Sequence, residues 1–272
     1  MTLNNKTLLI SGASRGIGKA IALRAAQDGA NVAVVAKTVA HHPKLEGTIY
    51  TAVDEINQVG GQGLACEADI RFEDQVKAAV EKTVAEFGGI DIVVNNASAI
   101  QLTGTLDTAM KRYDLMHGVN IRGTYLLSQK CLPLLLKAAN PHILSISPPL
   151  NLDPKWFGPH PAYTISKFGM SLCILGFAEE FREQGVAANA LWPKTTIATA
   201  AIQNLLGGDE IMKRSRKPSI MADAAYEILT RKSRDCTGNF FIDEAVLLDA
   251  GVSNLESYSM IKGADLTLDF FV

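Results

Sequence analysis

A tyrosine and a lysine four residues apart form the pattern in this chain best suited to proton transfer. Tyr163 and Lys167 stand in YTISK (residues 163–167), which opens a helical pattern after a proline-rich stretch. Residues four apart lie on one face of a helix, so the ammonium can sit beside the phenol. A free phenol has a pKa of about 10, and a neighbouring cation lowers that pKa. The spacing predicts an acid–base tyrosine, although the same spacing also arises by chance on surface helices.

A glycine-rich turn near the start of the chain predicts a phosphate site. The residues SGASRGIG (11–18) follow an apolar β-type run and precede a helical pattern. Gly12 permits a tight turn, Gly16 lets the backbone approach a pyrophosphate, and Gly18 lets the helix pack closely on the strand. The helix N-terminus offers unpaired N–H groups to phosphates. Rather than a turn of structural value alone, we expect a dinucleotide site with contacts from Gly12, Ser14, Arg15, Gly16, Ile17 and Gly18.

Charge beside the predicted adenosine site indicates which dinucleotide binds. The second β-type run ends without an acid and continues with Lys37, and Arg15 adds a cation within the turn. An acid at this position accepts bonds from the ribose hydroxyls of NAD, whereas a base pairs with the 2′-phosphate of NADP. Each cation alone is typical of a solvated surface. Together they favour NADP, with NAD as the open alternative.

Seven short apolar runs alternate with helical patterns and define the elements that must position these residues. The runs are 7–11, 31–36, 63–68, 90–95, 142–147, 186–192 and 238–242, and helical patterns include 16–28, 72–87, 121–136 and 162–183. Strands that are apolar throughout suit a sheet covered on both faces, and strand–helix alternation gives parallel strands through right-handed crossovers. The predicted fold is α/β, a doubly wound, seven-stranded parallel Rossmann-type sheet in a single domain over residues 1–272.

Three segments do not follow this alternation. Residues 148–161 hold five of the ten prolines and predict a stiff loop, in which Trp156 and Phe157 form an apolar wall over the substrate or pack the loop onto its own domain. Residues 194–218 predict a partly helical substrate lid, and residues 244–272 a C-terminal extension. The lid carries a basic run that is either a solvated face or a site for a phosphate-bearing substrate. The run consists of Lys213, Arg214, Arg216 and Lys217.

Composition excludes several classes of protein. Hydrophobic residues make up 47% and charged residues 20% of 272, and the formal net charge is −2, which is typical of a globular enzyme and argues against a nucleic-acid partner. Four distant cysteines and the unpartnered His41 and His42 predict neither a disulfide framework nor a metal site. No apolar stretch reaches the roughly 18 residues of a membrane span. We expect a cytoplasmic protein with a small-molecule substrate.

Together these motifs resemble the short-chain dehydrogenase/reductase family along nearly the whole chain. The matching residues are GASRGIG (12–18), Asp69, NNAS (95–98), Asn120 and YTISK (163–167). The resemblance implies an NADP(H)-dependent oxidoreductase that interconverts an alcohol and a ketone or aldehyde, on an apolar or lipid-like substrate, and that forms a homo-oligomer (dimer or tetramer). The alternatives are an enzyme acting on fatty acyl thioesters and a catalytically weak nucleotide-binding redox sensor.

The resemblance also implies individual roles. Tyr163 would exchange the proton, Lys167 would bond the nicotinamide ribose, and Asn120 would anchor a water that connects Lys167 to bulk solvent. Asp69 would contact the adenine, and Asn95 would hold the central strand beside the cofactor. The other predicted cofactor contacts are Ala97, Pro193, Thr195 and Ile197.

The chain departs from the family pattern at two positions. The usual substrate-binding serine falls on Pro148, which has no hydroxyl. Because Ser145 and Ser147 share one face of the strand, we predict that Ser147 takes this role beside Tyr163; the alternative is a strand-end serine that satisfies only backbone groups. Lys194 follows Pro193 where a glycine is usual, and it is either a contact for a polar or anionic group or a solvated lysine.

Overall fold

A computed structural model describes residues 1–41 and 45–272, whose named strands form one sheet of seven parallel strands. The strands are β1 (Thr7–Ser11), β2 (Asn31–Ala36), β3 (Gln62–Glu67), β4 (Ile92–Asn95), β5 (His142–Ile146), β6 (Ala187–Trp192) and β7 (Phe240–Ile242). Their order is β3-β2-β1-β4-β5-β6-β7. The predicted fold class is confirmed. The strand order reverses between β1 and β4, and open sheets of this kind bind ligands at the carboxyl edge beside that point.

Nine α-helices occur in these two ranges of described residues. They are α1 (Gly16–Ala26), α2 (Ile49–Gln58), α3 (Glu73–Phe87), α4 (Met110–His117), α5 (Thr124–Leu135), α6 (Pro161–Glu180), α7 (Gly208–Lys213), α8 (Ser219–Leu229) and α9 (Asp243–Asp249). Two π-helical turns add to them, Gly118–Gly123 between α4 and α5, and Ile202–Leu206 before α7. The lid is therefore partly helical, as its sequence predicts.

The sheet is buried on both faces, which explains its uninterrupted apolar strands. In β1, Leu8 and Ile10 pack into the cluster that includes α1 and α8, whereas Leu9 packs into the opposite cluster with α3 and α5. All three side chains have 0% exposure. Successive side chains alternate between faces, so both registers of each central strand must be apolar.

A third cluster of buried aromatic residues lies beyond the carboxyl ends of β5 and β6. Its centre is Phe271, 1% exposed, which belongs to the C-terminal tail (residues 267–272). The Trp156 and Phe157 rings lie 5.6 Å from Phe271 and 5.2 Å from Phe168, respectively. The proline-rich loop therefore packs onto its own domain, whereas Leu152 in the same loop is 71% exposed.

Two other sequence expectations concern membranes and metals. No helix of the described chain is long and apolar enough to cross a membrane. Over the same residues, no three His, Cys, Asp or Glu side chains group as metal ligands, and His42 lies outside the described residues. The four cysteines have free thiols.

Candidate active site

A cavity of 770 Å³ opens at the carboxyl ends of β1, β2 and β4. This volume lies within the range of small-molecule and cofactor sites. The cavity lies at the point where the strand order reverses. Of the residues predicted from sequence, it is lined by Gly12, Ser14, Arg15, Gly16, Ile17, Lys37, Asp69 and Ala97.

The glycine-rich turn forms one wall of this cavity. Its glycines stand where a side chain would strain the backbone or collide with neighbouring atoms. Gly12 has a φ of +68°, a left-handed conformation that favours glycine, and its N–H donates to the Val35 carbonyl at 2.8 Å. A Cβ on Gly18 would lie 2.4 Å from Asn96 Nδ2 and 2.8 Å from the Gly12 carbonyl. Gly18 lines neither cavity of the site; it lets α1 approach the end of β1.

The N-terminus of α1 fits a phosphate group. Arg15, at the N-cap position, makes no side-chain capping bond, and the first turn contains no acidic residue. The leading N–H groups of a helix lack intrahelical partners and attract anions. Gly16 has a φ of +59°, a left-handed conformation that favours glycine at the start of the helix. The turn and cavity therefore fit the pyrophosphate of a dinucleotide.

Two adjacent asparagines at the end of β4 have different partners. Asn95 is 1% exposed and donates from Nδ2 to Ser128 Oγ at 2.9 Å, so it ties β4 to α5 and does not line the cavity. Asn96 Nδ2 donates to the carbonyls of Ser11 and Gly12 at 3.0 and 3.1 Å. Asn96 thus connects the central strand to the glycine-rich turn, a contact that sequence reasoning missed. Alternation along the strand was the available signal, because neighbouring side chains point to opposite faces.

Charged groups on the side of the cavity where the sequence predicts the adenosine are already engaged within the chain. Arg15 donates to the carbonyls of Glu46 and Gly47, each at 2.9 Å. Arg71, which the sequence did not single out, lies 2.6 Å from Asp69, and its hydrogen bonds hold the pKa of Asp69 below the ordinary value. Lys37 Nζ is 3.8 Å from the same carboxylate, and its side chain is 68% exposed. Lys37 is therefore the cation with the greatest freedom to turn toward a ligand.

A second cavity of 180 Å³ adjoins the first at the ends of β5 and β6. Tyr163 and Lys167 line it, together with Ile146, Trp192 and Asp269. The two cavities share the lining residues Ile17, Asn96, Ser98, Thr199 and Ala201. The glycine-rich turn and the tyrosine–lysine pair therefore border two adjoining cavities that share part of their walls.

Tyr163 and Lys167 lie one turn apart near the start of α6, which Pro161 opens at a position where proline costs no hydrogen bond. They are 5% and 2% exposed. Lys167 Nζ donates to the Ile146 carbonyl at 2.7 Å and lies 5.0 Å from the centre of the Trp192 ring. Burial lowers the pKa of Lys167 to about 7 and raises that of Tyr163 well above its ordinary value, because both charged forms lose solvation.

Asn120 lies in the π-helical turn between α4 and α5, and π-helical turns frequently occur at functional sites. Its side chain is fully buried: Nδ2 donates to the Ala99 carbonyl at 3.0 Å and to Ser166 Oγ at 2.9 Å, and Oδ1 accepts the Ala99 N–H at 2.7 Å. Asn120 thus joins the loop after β4 to α6. Its place in a proton relay stays a prediction.

Ser147 makes no direct hydrogen bond to Tyr163 among the described residues. Ser147 Oγ is buried and, like Ser145 Oγ, has no hydrogen-bond partner among the described residues. Strand β5 ends at Ile146, which lines the second cavity in place of the serine. The alternation that puts the two serines on one face puts Ile146 on the other. A role for Ser147 toward a substrate oxygen stays a prediction.

The segment after β6 supplies expected and unexpected residues. Pro193 and Ile197 line the second cavity, but Thr195 is buried elsewhere and pairs with Leu268 of the C-terminal tail. Thr199 lines both cavities and was missed, because the register of an irregular segment cannot be read from periodicity. Lys194, in the same segment, has an exposed side chain.

The basic run of the lid holds the C-terminal residues instead of forming an open cationic patch. Arg214 and Arg216 form ion pairs of 2.8 Å with Asp265 and 2.7 Å with Glu244. Lys217 donates to the Ser257 carbonyl at 3.0 Å, and Lys213 pairs with Glu210 of its own helix at 3.0 Å. Arg214, Arg216 and Lys217 therefore fasten the lid to the C-terminal extension.

Comparison with known proteins agrees with this geometry. The short chain dehydrogenase family profile matches residues 6–207. The chain is 60% identical to hydroxysteroid dehydrogenase-like protein 2 of Xenopus laevis over 98% of its own length and 63% of that protein's length, so it spans just under two thirds of that relative. A crystal structure from Xanthomonas campestris superposes with a TM-score of 0.97 (57% identity; 100% of this chain, 99% of that chain). One of a short chain dehydrogenase from Mycobacterium thermoresistibile gives 0.95 (56% identity; 100% and 96%). This chain therefore belongs to the short-chain dehydrogenase/reductase family of oxidoreductases.

Proposed function

We propose that the protein is an NADP(H)-dependent oxidoreductase that interconverts an alcohol and a ketone or aldehyde. The observation that carries this proposal is that the cavity at the glycine-rich turn adjoins the cavity at the buried pair Tyr163 and Lys167. A dinucleotide bound at the turn would extend toward the pair, since the two cavities share five lining residues. When bound, its nicotinamide supplies or accepts a hydride.

Tyr163 is the proton donor and acceptor in this reaction. In the reducing direction its phenol donates to the carbonyl oxygen, and in the oxidising direction its phenolate accepts from the alcohol. The Lys167 ammonium stabilises the phenolate, and we assign proton resupply to Lys167 and Asn120. Ser147 is proposed to hold the substrate oxygen. General acid–base catalysis of this kind contributes about a hundred- to ten-thousandfold.

Charge in the larger cavity supports NADP over NAD. Arg15 and Lys37 line it, and no acid follows β2 where NAD-binding sites carry one. The Asp69 carboxylate is paired with Arg71, which reduces its repulsion of a 2′-phosphate. Comparing the dissociation constants of NADPH and NADH tests this part of the proposal.

The smaller cavity supports an apolar substrate. Its walls include Ile100, Ile146, Trp192 and Ile202, while its volume of 180 Å³ is below that of most small-molecule sites. A lipid-like substrate therefore requires the lid or the C-terminal tail to shift. The acyl-thioester alternative loses its supporting feature, because the basic run is engaged within the chain.

Turnover of NADPH with a panel of ketones and aldehydes tests the proposed activity. The panel includes a ketosteroid, because the name of the matched relative refers to hydroxysteroids. Oxidation that depends on Tyr163 supports the enzyme. NADPH binding without turnover of any carbonyl compound would instead support the redox sensor.

We further propose a cytoplasmic homo-oligomer. Tyr125 on α5 and Leu172 and Leu175 on α6 are 46–57% exposed apolar side chains that a second copy of the chain could cover. Sedimentation velocity at several concentrations tests the assembly, with a dimer or tetramer expected. Cell fractionation tests the location.

A further inference from the structure

The C-terminal tail brings an acidic residue to the tyrosine–lysine pair. Asp269 is half-buried and lines the same 180 Å³ cavity as Tyr163 and Lys167. No motif in the sequence marks this residue, which lies more than a hundred positions beyond the pair. A carboxyl group at a buried proton-transfer site changes the electrostatics of that site.

Backbone hydrogen bonds hold Asp269 in place. Its N–H donates to the Lys194 carbonyl at 3.1 Å, and Thr196 N–H donates to the Thr267 carbonyl at 2.9 Å. On its other side, Trp192 Nε1 donates to the Phe270 carbonyl at 2.8 Å. The tail therefore pairs with the segment after β6, and its position is set by the same strand that supplies Trp192.

The neighbours of Asp269 contact both members of the pair. The Trp192 ring that binds Phe270 lies 5.0 Å from Lys167 Nζ, and the Phe271 ring stacks 6.4 Å from the ring of Tyr163. The described polar contacts of Lys167 Nζ are neutral, namely the Ile146 carbonyl at 2.7 Å and Met170 Sδ at 3.4 Å. Among the residues that the structure describes, the ammonium thus has no direct counter-ion within hydrogen-bond distance.

We propose that Asp269 is a positioning residue whose carboxylate keeps the buried Lys167 ammonium protonated. Desolvation disfavours a buried ammonium, and a nearby carboxylate offsets this effect. The directions agree: Asp269 opposes the fall in the pKa of Lys167, and Lys167 opposes the rise in the pKa of Asp269. This inference rests on the proposed function only in its catalytic consequence: the cation remains available to stabilise the Tyr163 phenolate.

Other titratable groups lie near the pair, but each is engaged elsewhere or exposed and does not serve as the counter-charge of Lys167. The Asp243 carboxylate accepts the N–H groups of Lys194 and Glu244 at 2.8 and 2.7 Å. It adds to burial in raising the pKa of Asp269. The Lys194 side chain is exposed, and Glu244 pairs with Arg216. The ring of His160 packs against Phe270, and that of His117 against Tyr113.

A lysine-selective NMR titration of the purified chain, without substrate, tests the proposal. In Asp269→Asn the pKa of Lys167 should fall by about one pH unit or more, the size expected for loss of a nearby opposite charge. Asn can still accept the Phe270 N–H that Asp269 Oδ1 accepts at 2.7 Å. Asp269→Glu, which keeps the charge, should restore the parent value. Asp249→Asn, an exposed acid of the same extension, is the matched control and should change nothing.

The reciprocal measurement covers the case in which Asp269→Asn does not fold. Coupling between two sites is equal in both directions, so Lys167→Met should raise the pKa of the Asp269 carboxyl by the same amount. An unchanged pKa of Lys167 in folded Asp269→Asn, or of Asp269 in Lys167→Met, overturns the proposal. Neither experiment needs turnover, so its failure is distinguishable from failure of the proposed function.

A pH profile gives the functional readout once a ketone or alcohol substrate is found. Because Asp269 opposes the fall in the pKa of Lys167 that burial causes, its removal should move the limb of the profile that Lys167 sets to lower pH. A residue that acted only through packing would reduce the height of the profile without moving it. An unmoved profile in Asp269→Asn would contradict the positioning role.

Discussion

Gly18→Ala tests the geometry of the glycine-rich turn. The added Cβ would lie 2.4 Å from Asn96 Nδ2 and 2.8 Å from the Gly12 carbonyl oxygen, which are closer than real Cβ contacts. Asn96 cannot move away without cost, because the same Nδ2 bonds the Ser11 and Gly12 carbonyls. The substitution therefore disrupts the contact that connects β4 to the turn.

The expected effect combines opposing contributions to the free energy of unfolding. Loss of two neutral hydrogen bonds costs about 1 kcal/mol each, and overpacking costs about 1–3 kcal/mol. Alanine returns about 1 kcal/mol through its higher helix propensity. We expect a net destabilisation of about 2–4 kcal/mol, which corresponds to a fall in Tm of roughly 5–15 °C for a domain of this size.

Thermal unfolding of the parent and two variants measures this effect. Gly176→Ala is the matched control, because Gly176 also lies in a helix but a Cβ there would meet nothing within 4 Å. It should stabilise the chain by up to about 1 kcal/mol. NADPH affinity should fall in Gly18→Ala and stay unchanged in Gly176→Ala. A Gly18→Ala variant with the stability of Gly176→Ala would refute the close approach of α1 to Asn96.

The remaining predictions concern the proposed reaction and the response to pH. Tyr163→Phe should lower turnover at least about a hundredfold while NADPH still binds in a titration; near-parental turnover rules out the proton role. Lys37→Asp should flatten or reverse the ratio of NADPH and NADH dissociation constants, since a charge-assisted bond contributes about 1.5–3 kcal/mol; equal constants in the unmodified protein contradict the NADP assignment. Ser147→Ala should lower kcat/KM roughly tenfold and Ser145→Ala should alter it little; a harmless Ser147→Ala leaves Tyr163 or another group to hold the oxygen. Burial lowers the pKa of His142 from 6.5 to about 4, so the free energy of unfolding should fall as the pH falls from 6.5 to 4, because the unfolded chain binds the extra proton. In urea titrations, His142→Gln should flatten this dependence of stability on pH, and an unchanged dependence contradicts the prediction.

Local patterns in the sequence were sufficient to predict the elements of the fold. β1 and β2 occupy the predicted residues, and the ends of the other strands differ by one or two positions. A run such as Ile92–Val94 is apolar throughout because helices cover both faces of the sheet, and this cause acts on every residue of the run. The glycine-rich turn is similarly local, since Gly12 needs its left-handed φ whatever lies beyond it.

Positions set by distant contacts could not be predicted in the same way. Asn96 was missed beside Asn95, because only the approach of the glycine-rich turn decides which of two adjacent amides faces it. Ser147 lies one residue beyond the end of β5, and Ile146 lines the cavity instead.

The sequence by itself determined the fold class, the glycine-rich turn and the spacing of Tyr163 and Lys167, because backbone periodicity and helix geometry act over a few residues. Only the tertiary structure brought Asp269 and Phe271 to that pair. Their placement depends on pairing of the tail with residues 194–196 and on burial of Phe271 among aromatic side chains from three other segments. The physical reason is that such contacts draw their free energy from surfaces that exist only after the chain has folded.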